Sequence, residues 1–455
     1  GVLLLRAQSS PCLYSPFKFG MQRLKTLLHG GMRIGSLRYP FRRFPWRYQY
    51  AALSTQSMKS MSLVDGVVDM HPDLIEWRRD FHAHPELSYE EKRTSELVAE
   101  RLRSWGIDVT TNIAKTGVIG TLRGKNEVKS GQKVKSIGLR ADMDALGMEE
   151  DTGLEYKSKH PGKFHGCGHD GHTTMLLGAA RHLAATRDFA GTVQFIFQPA
   201  EEMYGGGRAM VRDENIFERF PCDAVYGIHN WPLLPEGVIS ARAGPIMASN
   251  DEFLVRIIGQ GGHAAMPHLT VDPIYVASQA VVALQGLVSR STDPVDSAVV
   301  SITKFLAGTN ALNVIPFGAE LGGTIRTFQP ETRDRLKTQL KECVRGVVTS
   351  MGATAEVEII EGYPATINHV DETELAAKVA SGIVGPTNVV RDAPSTMGAE
   401  DFSYMLQEKP GCYIWLGSGR TGNDPMVHDP KYDFNDSISP IGASWFVRMV
   451  ETSLA

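Results

Sequence analysis

A cysteine, several histidines and two adjacent glutamates recur in short segments marked by glycine or proline. They are His165-Gly166-Cys167-Gly168-His169-Asp170-Gly171-His172, Pro199-Ala200-Glu201-Glu202, Gly227-Ile228-His229-Asn230 and Val427-His428-Asp429-Pro430. A thiolate, imidazoles and a carboxylate suit a borderline divalent cation. A second carboxylate beside them is what metal-assisted hydrolysis uses to move protons. The residue types point to a hydrolase.

Cys167 and His169 are two apart in a glycine-rich turn, which lets the backbone curl until both side chains face one ion. The rival chemistry makes Cys167 a nucleophile with His169 or His172 as base. A cysteine hydrolase, however, has no use for Glu202, His229 and His428. Glu201 and Glu202 would repel if both were buried and ionised, and a cation beside them removes that objection. We assign Glu202 to the metal and Glu201 to general base and acid, although from sequence the two roles are interchangeable. Standing alone, the pair reads as a solvated acidic loop. His229 and His428 are ligand candidates that are weak in isolation. Asp142 reads as a carboxylate that orients a ligand imidazole, and His165 and His172 as supporting groups or helix-face residues.

The elements that carry these residues alternate. Residues 65–105 read as helical with a break at Pro85. Val134 to Leu139, Val193 to Phe197, Ala224 to Ile228 and Tyr413 to Leu416 read as buried strands, and the stretch after His172 as a helix. Such alternation predicts an α/β domain with a mostly parallel sheet covered by helices. Asp142, Glu201, Glu202 and His229 would then follow the carboxyl ends of three strands, the rim where open α/β sheets bind ligands.

Residues 246–362 break the pattern. Their periodicity gives strand, helix, strand, strand, helix, strand, a ferredoxin-like βαββαβ unit inserted into the first domain. The expected organisation is a basic segment 1–62, a catalytic part 63–245, the insert 246–362 and a second catalytic part 363–455. Within the insert, His263 lies in a glycine-rich loop. It can steady an oxyanion if that domain folds over the site or over a partner's site. Asn313 and Arg326 can bind a substrate carboxylate, although from sequence alone ordinary surface polarity explains them better.

Of 455 residues, 42% are hydrophobic and 22% charged, ordinary for a soluble globular chain. Residues 1–62 contain ten Lys or Arg and no Asp or Glu. That composition suits an organelle-targeting presequence with a mitochondrial address, a cytoplasmic location being the alternative. The rest is acidic, which argues against nucleic acid as partner, and no run is long enough to span a membrane. Five scattered cysteines form no disulfide framework.

Taken together, the chain resembles the amidohydrolase branch of the M20 metallopeptidases, which includes hippurate hydrolases, N-acyl-amino-acid amidohydrolases and plant auxin-conjugate hydrolases. The resemblance runs from about Arg78 to the C-terminus. It rests on Phe81-His82-Ala83-His84-Pro85-Glu86-Leu87, Leu139-Arg140-Ala141-Asp142-Met143-Asp144-Ala145, the Cys167 block and Gln198-Pro199-Ala200-Glu201-Glu202. Further matches are Gly262-His263-Ala264-Ala265, Asn313-Val314-Ile315-Pro316, Gly323-Thr324-Ile325-Arg326-Thr327 and Met397-Gly398-Ala399-Glu400-Asp401-Phe402. It implies a catalytic α/β domain, an inserted dimerisation or lid domain, a homodimer, and two divalent ions per subunit, manganese or zinc. By the family motif Cys167, His169, Glu202, His229 and His428 match the ligands, Glu201 the catalytic carboxylate, and His263 a residue that acts from the insert. Other branches place a histidine where Arg140 stands, so the rules of the zinc aminopeptidases do not transfer. The expected reaction is hydrolysis of the amide of a small N-acyl amino acid. A dipeptidase of the same fold and a silent metal-binding dimer are the alternatives.

Overall fold

The computed structural model describes residues 61–128, 131 and 133–455. Apart from its last two residues, the basic segment, and with it the presequence expectation, lies outside the described residues.

An eight-stranded sheet forms the frame. Its spatial order is Asp108–Ile113, Gly117–Arg123, Thr192–Gln198, Ser136–Asp142, Ala224–Pro235, Gly411–Gly419, Ile239–Ser240 and Val389–Val390. The four central strands run parallel. An antiparallel hairpin closes one edge, and Ile239–Ser240 pairs antiparallel with Gly411–Gly419 near the other. Alternate residues of the central strands feed two separate apolar clusters. Val193, Phe195 and Phe197 join Leu176 and Trp445, whereas Ile196 joins Trp231 and Phe402. Both faces are therefore covered, which is why these strands read as continuous apolar runs.

The helix expected over 65–105 is three helices, Asp65–Val68, His71–Ala83 and Lys92–Ser104, with Pro85 in the second gap. The helix placed after His172 begins earlier, as His169–Thr186, because Gly168 adopts φ 99° and turns the chain into it.

The insert supplies a second sheet, Asp251–Ile258, Ala298–Ala307, Gly318–Thr327 and Thr354–Glu361, fully antiparallel. Numbering these strands in chain order, the spatial order is 4-1-3-2, the ferredoxin-like arrangement. Burial alternates residue by residue along Asp251–Ile258, as expected when one face is covered. The covering helix Pro330–Ser350 buries Leu336, Leu340, Val344 and Val348, a single stripe at four-residue spacing.

Two placements differ from expectation. Asp142 is the last residue of its strand, Ser136–Asp142, not past its end. His229 lies inside the strand Ala224–Pro235 rather than just past its end. The strand pairs with Ser136–Asp142 only as far as Gly227, then continues along Gly411–Gly419. His229 thus clears one neighbour while still held by the other.

Candidate active site

Strained and braced backbone presents the site. At Gly168 a Cβ would sit 2.2 Å from Asn230 Oδ1, so the Cys167 turn has no room for a side chain there. Ala200 adopts φ 54° and His428 φ 68°, conformations that L residues hold only under external constraint. The Ala200 N–H donates to Glu91 Oε1 at 2.8 Å, and the His428 N–H to the Gly166 carbonyl at 2.8 Å. Asp144 accepts the backbone N–H groups of both Glu201 and Glu202, each at 3.0 Å, and the Ser88 hydroxyl at 2.7 Å.

These turns bring the five expected ligands together. The ligand atoms of Cys167, His169 and His229 lie within 4.8 Å of one another, and so do those of Cys167, Glu202 and His428. Cys167 Sγ is 3.4 Å from His229 Nε2, and His428 Nε2 is 3.3 Å from Glu202 Oε1. His169 Nε2 stands 3.9 Å from Glu202 and 4.0 Å from Glu201. Each buried imidazole is oriented by its other nitrogen. His169 Nδ1–H donates to the Asp144 carbonyl at 2.8 Å and His229 Nδ1–H to the Asn230 carbonyl at 2.7 Å. Both Nε2 atoms therefore point inward. At His169 burial would lower the ring, but the Asp142, Asp144 and Glu202 carboxylates outweigh it and raise the ring to about 10, so a bound cation would take the place of a proton there. His169 Nε2 and Glu202 Oε1 are buried without any hydrogen-bond partner. Two orphaned polar atoms in one pocket are costly unless something fills it, and this donor set fits a divalent cation.

Asp142 touches two imidazoles. It accepts from His172 Nδ1 at 2.6 Å and lies 3.6 Å from His169 Nε2. Burial alone would raise its carboxyl, but Arg140, His169 and His172 hold it well below the usual range. Glu201 behaves oppositely. Burial, then the Glu400, Glu202 and Asp401 carboxylates, push it well above the ordinary carboxylate range. Such a carboxyl keeps its proton, and a cation bound beside it would favour the ionised form that a base needs. Burial and the facing Glu202, Glu201 and Asp142 push the Cys167 thiol up, while burial and His172 push His229 down. A nucleophilic thiolate needs the thiol lowered instead, which disfavours the cysteine-hydrolase reading.

His263, Asn313 and Arg326 are not brought to this cluster within one chain. His263 is exposed on the two-residue strand Gly262–His263, where it pairs with Val314 and its Nδ1 accepts the Ala265 N–H, both within the insert. Asn313 is exposed beside it, its carbonyl accepting the Ala264 N–H at 2.9 Å. Half-buried Arg326 donates to its own neighbour, the Ile325 carbonyl. Other groups at the site carried no assigned role in the sequence. Arg140 is fully buried and donates to Asp142, Glu400 and Asp401 at 2.6, 2.9 and 3.1 Å. Glu400 and Asp401 stand with Glu201 in one acidic group. The Gly398-Ala399-Glu400-Asp401 segment was the available signal, since adjacent acids in an apolar surrounding need a buried cation.

A parallel sheet whose rim gathers a thiol, imidazoles and paired carboxylates is the site of a metal-assisted hydrolase. Residues 138–452 match the family model described as peptidase family M20/M25/M40, and the chain belongs to that family. It is accordingly an M20-type amidohydrolase. It is 38% identical over 389 residues to a hippurate hydrolase of Campylobacter jejuni, covering 86% of this chain and 98% of that protein. An IAA-amino acid hydrolase ILR1-like 4 of Arabidopsis thaliana is 40% identical over 388 residues, covering 83% of this chain and 86% of that one. Among solved structures, the YXEP protein of Bacillus subtilis is described as a dinuclear metal-binding M20 peptidase. It is similar with a TM-score of 0.73 at 34% identity, covering 85% of this chain and 99% of that one.

Proposed function

We propose that the chain hydrolyses the amide bond of N-acyl amino acids. In this reading two divalent cations, manganese or zinc, are held by Cys167, His169, Glu202, His229 and His428. The observation that carries it is that His169 Nε2 and Glu202 Oε1 are buried without a hydrogen-bond partner, the first grouped with Cys167 and His229 and the second with Cys167 and His428. The names of the relatives, a hippurate hydrolase and an IAA-amino acid hydrolase, favour amino-acid conjugates as the substrate class. Bound cations would lower the pKa of water and polarise the scissile carbonyl. Glu201 takes the proton from the attacking water and returns it to the amide nitrogen. Asp142 keeps the His172 ring in register.

His263, Asn313 and Arg326 would reach substrate from a second copy, in a homodimer formed through the insert. Supporting this, Leu312 is 98% and Phe317 74% exposed on the same loop region, and Ala298–Ala307 is an unpaired sheet edge.

The test is a pair of variants on metal-loaded protein with N-acyl amino acids and free dipeptides. Glu201→Ala should keep metal and fold while losing turnover by about 10²–10⁴-fold. Cys167→Ser should lose metal. Wild-type turnover in the first, or full metal retention in the second, would contradict the assignments. Preference for free dipeptides would shift the substrate class.

A further inference from the structure

The two carboxylates with divided roles are joined by one peptide unit, and both edges of that unit are held. Its N–H, from Glu202, donates to Asp144 Oδ2 at 3.0 Å. Its carbonyl, from Glu201, accepts the Tyr363 hydroxyl at 2.6 Å. A peptide fixed on both edges cannot swing about its flanking dihedrals, and that swing is what would re-aim Glu201 and Glu202. The brace is needed here because Ala200, immediately before, is held in the left-handed region.

Tyr363 stands where the chain leaves the insert. Its N–H donates to Asn250 Oδ1 at 2.6 Å, and its carbonyl accepts the Asn250 N–H at 3.0 Å. Asn250 immediately precedes the entering strand Asp251–Ile258, so the two crossings are bound to each other at this residue. Next to it, Arg333 grips Asp251 through two bonds at 2.7 and 2.8 Å and also donates to the Gly362 carbonyl at 3.0 Å. A Cβ at Gly362 would sit 2.1 Å from the Asn250 carbonyl, so the crossings touch backbone to backbone. The same tyrosine lines the cleft of about 890 Å³ that also reaches Glu202. Burial and the neighbouring Asp401, Glu201 and Asp144 carboxylates push its hydroxyl up, so it remains a donor.

We propose that Tyr363 is a positioning residue whose hydroxyl, anchored at the crossing between the two domains, fixes the Glu201–Glu202 peptide and with it the separate aims of the two carboxylates. The proposal rests on the hydrolytic reading above. Its consequence is that the setting of the insert and the geometry of the proton-carrying acid are linked through one hydrogen bond.

Tyr363→Phe removes that bond and the one the hydroxyl accepts from the Gly205 backbone. The expected result is a slightly lower melting temperature, an unchanged KM, a kcat lower by about tenfold or more, and weaker Mn²⁺ binding when the metal-free protein is titrated. In a Glu201→Gln background the same substitution should leave the residual rate alone. Asn250→Ala should lower kcat in the wild type yet add nothing to Tyr363→Phe, since both cut one linkage. An unchanged kcat in Tyr363→Phe, or an equal loss in the Glu201→Gln background, would overturn the proposal. Wild-type turnover in Glu201→Gln would instead remove the hydrolytic reading, and unaltered Mn²⁺ affinity in Tyr363→Phe would then overturn the clamp by itself.

Discussion

Beneath the candidate ligands lies a buried ionic layer that bears on stability rather than chemistry. His82 is fully buried, its Nδ1–H donating to Asp170 Oδ2 at 2.8 Å with Glu150 at 3.4 Å. Burial alone would lower its pKa, but these two carboxylates prevail and raise it from 6.5 to about 9. A group whose folded pKa is raised stabilises fully below its unfolded value and loses that contribution as pH rises through the folded one. The melting temperature of the protein should therefore fall between about pH 6.5 and pH 9 by more than that of His82→Gln. Parallel slopes for the two proteins would contradict this. Removing one partner of a buried pair costs about 3–5 kcal/mol, so His82→Gln should also melt lower at neutral pH. None of this layer was visible as a network beforehand. His82 and Asp170 were only motif members 88 residues apart, and nothing in residue types alone says which histidine meets which carboxylate.

Elements were easier to read than contacts. The central strands announced themselves because sheets covered on both faces need unbroken apolar runs, and the insert because its strands alternate. His229 was misplaced by the strand end, since its strand outlasts one partner, and where pairing stops is a tertiary fact. The Cys167 turn was legible as glycine-rich, but not why Gly168 in particular has to be glycine. With φ 99° and Asn230 Oδ1 at 2.2 Å from a would-be Cβ, Gly168→Ala combines backbone strain with a clash. Strain of that kind costs about 1–3 kcal/mol. Asn230 would have to move, and it lies 2.7 Å from His172 Nε2, whose Nδ1 holds Asp142. We expect a lower melting temperature and weaker metal binding together, measured by calorimetry. Metal affinity equal to wild type would show that the turn does not aim Cys167 and His169.

At the scale of the whole molecule, the candidate site is complete in its ligands but not in its reach. His263 and Asn313 sit exposed on the insert, away from the cluster. If a second copy supplies them, mixing inactive His263→Ala with inactive Glu201→Ala protein should restore turnover, because an exchanged dimer contains one site with both residues intact. No recovery after demonstrated subunit exchange would contradict that arrangement. The central claim, that distant turns build one cation pocket, is tested most directly by anomalous diffraction from crystals loaded with Mn²⁺ or Zn²⁺. The account predicts two anomalous peaks among Cys167, His169, Glu202, His229 and His428, with Glu201 beside them. Peaks elsewhere, or none at this cluster in a loaded crystal, would contradict it.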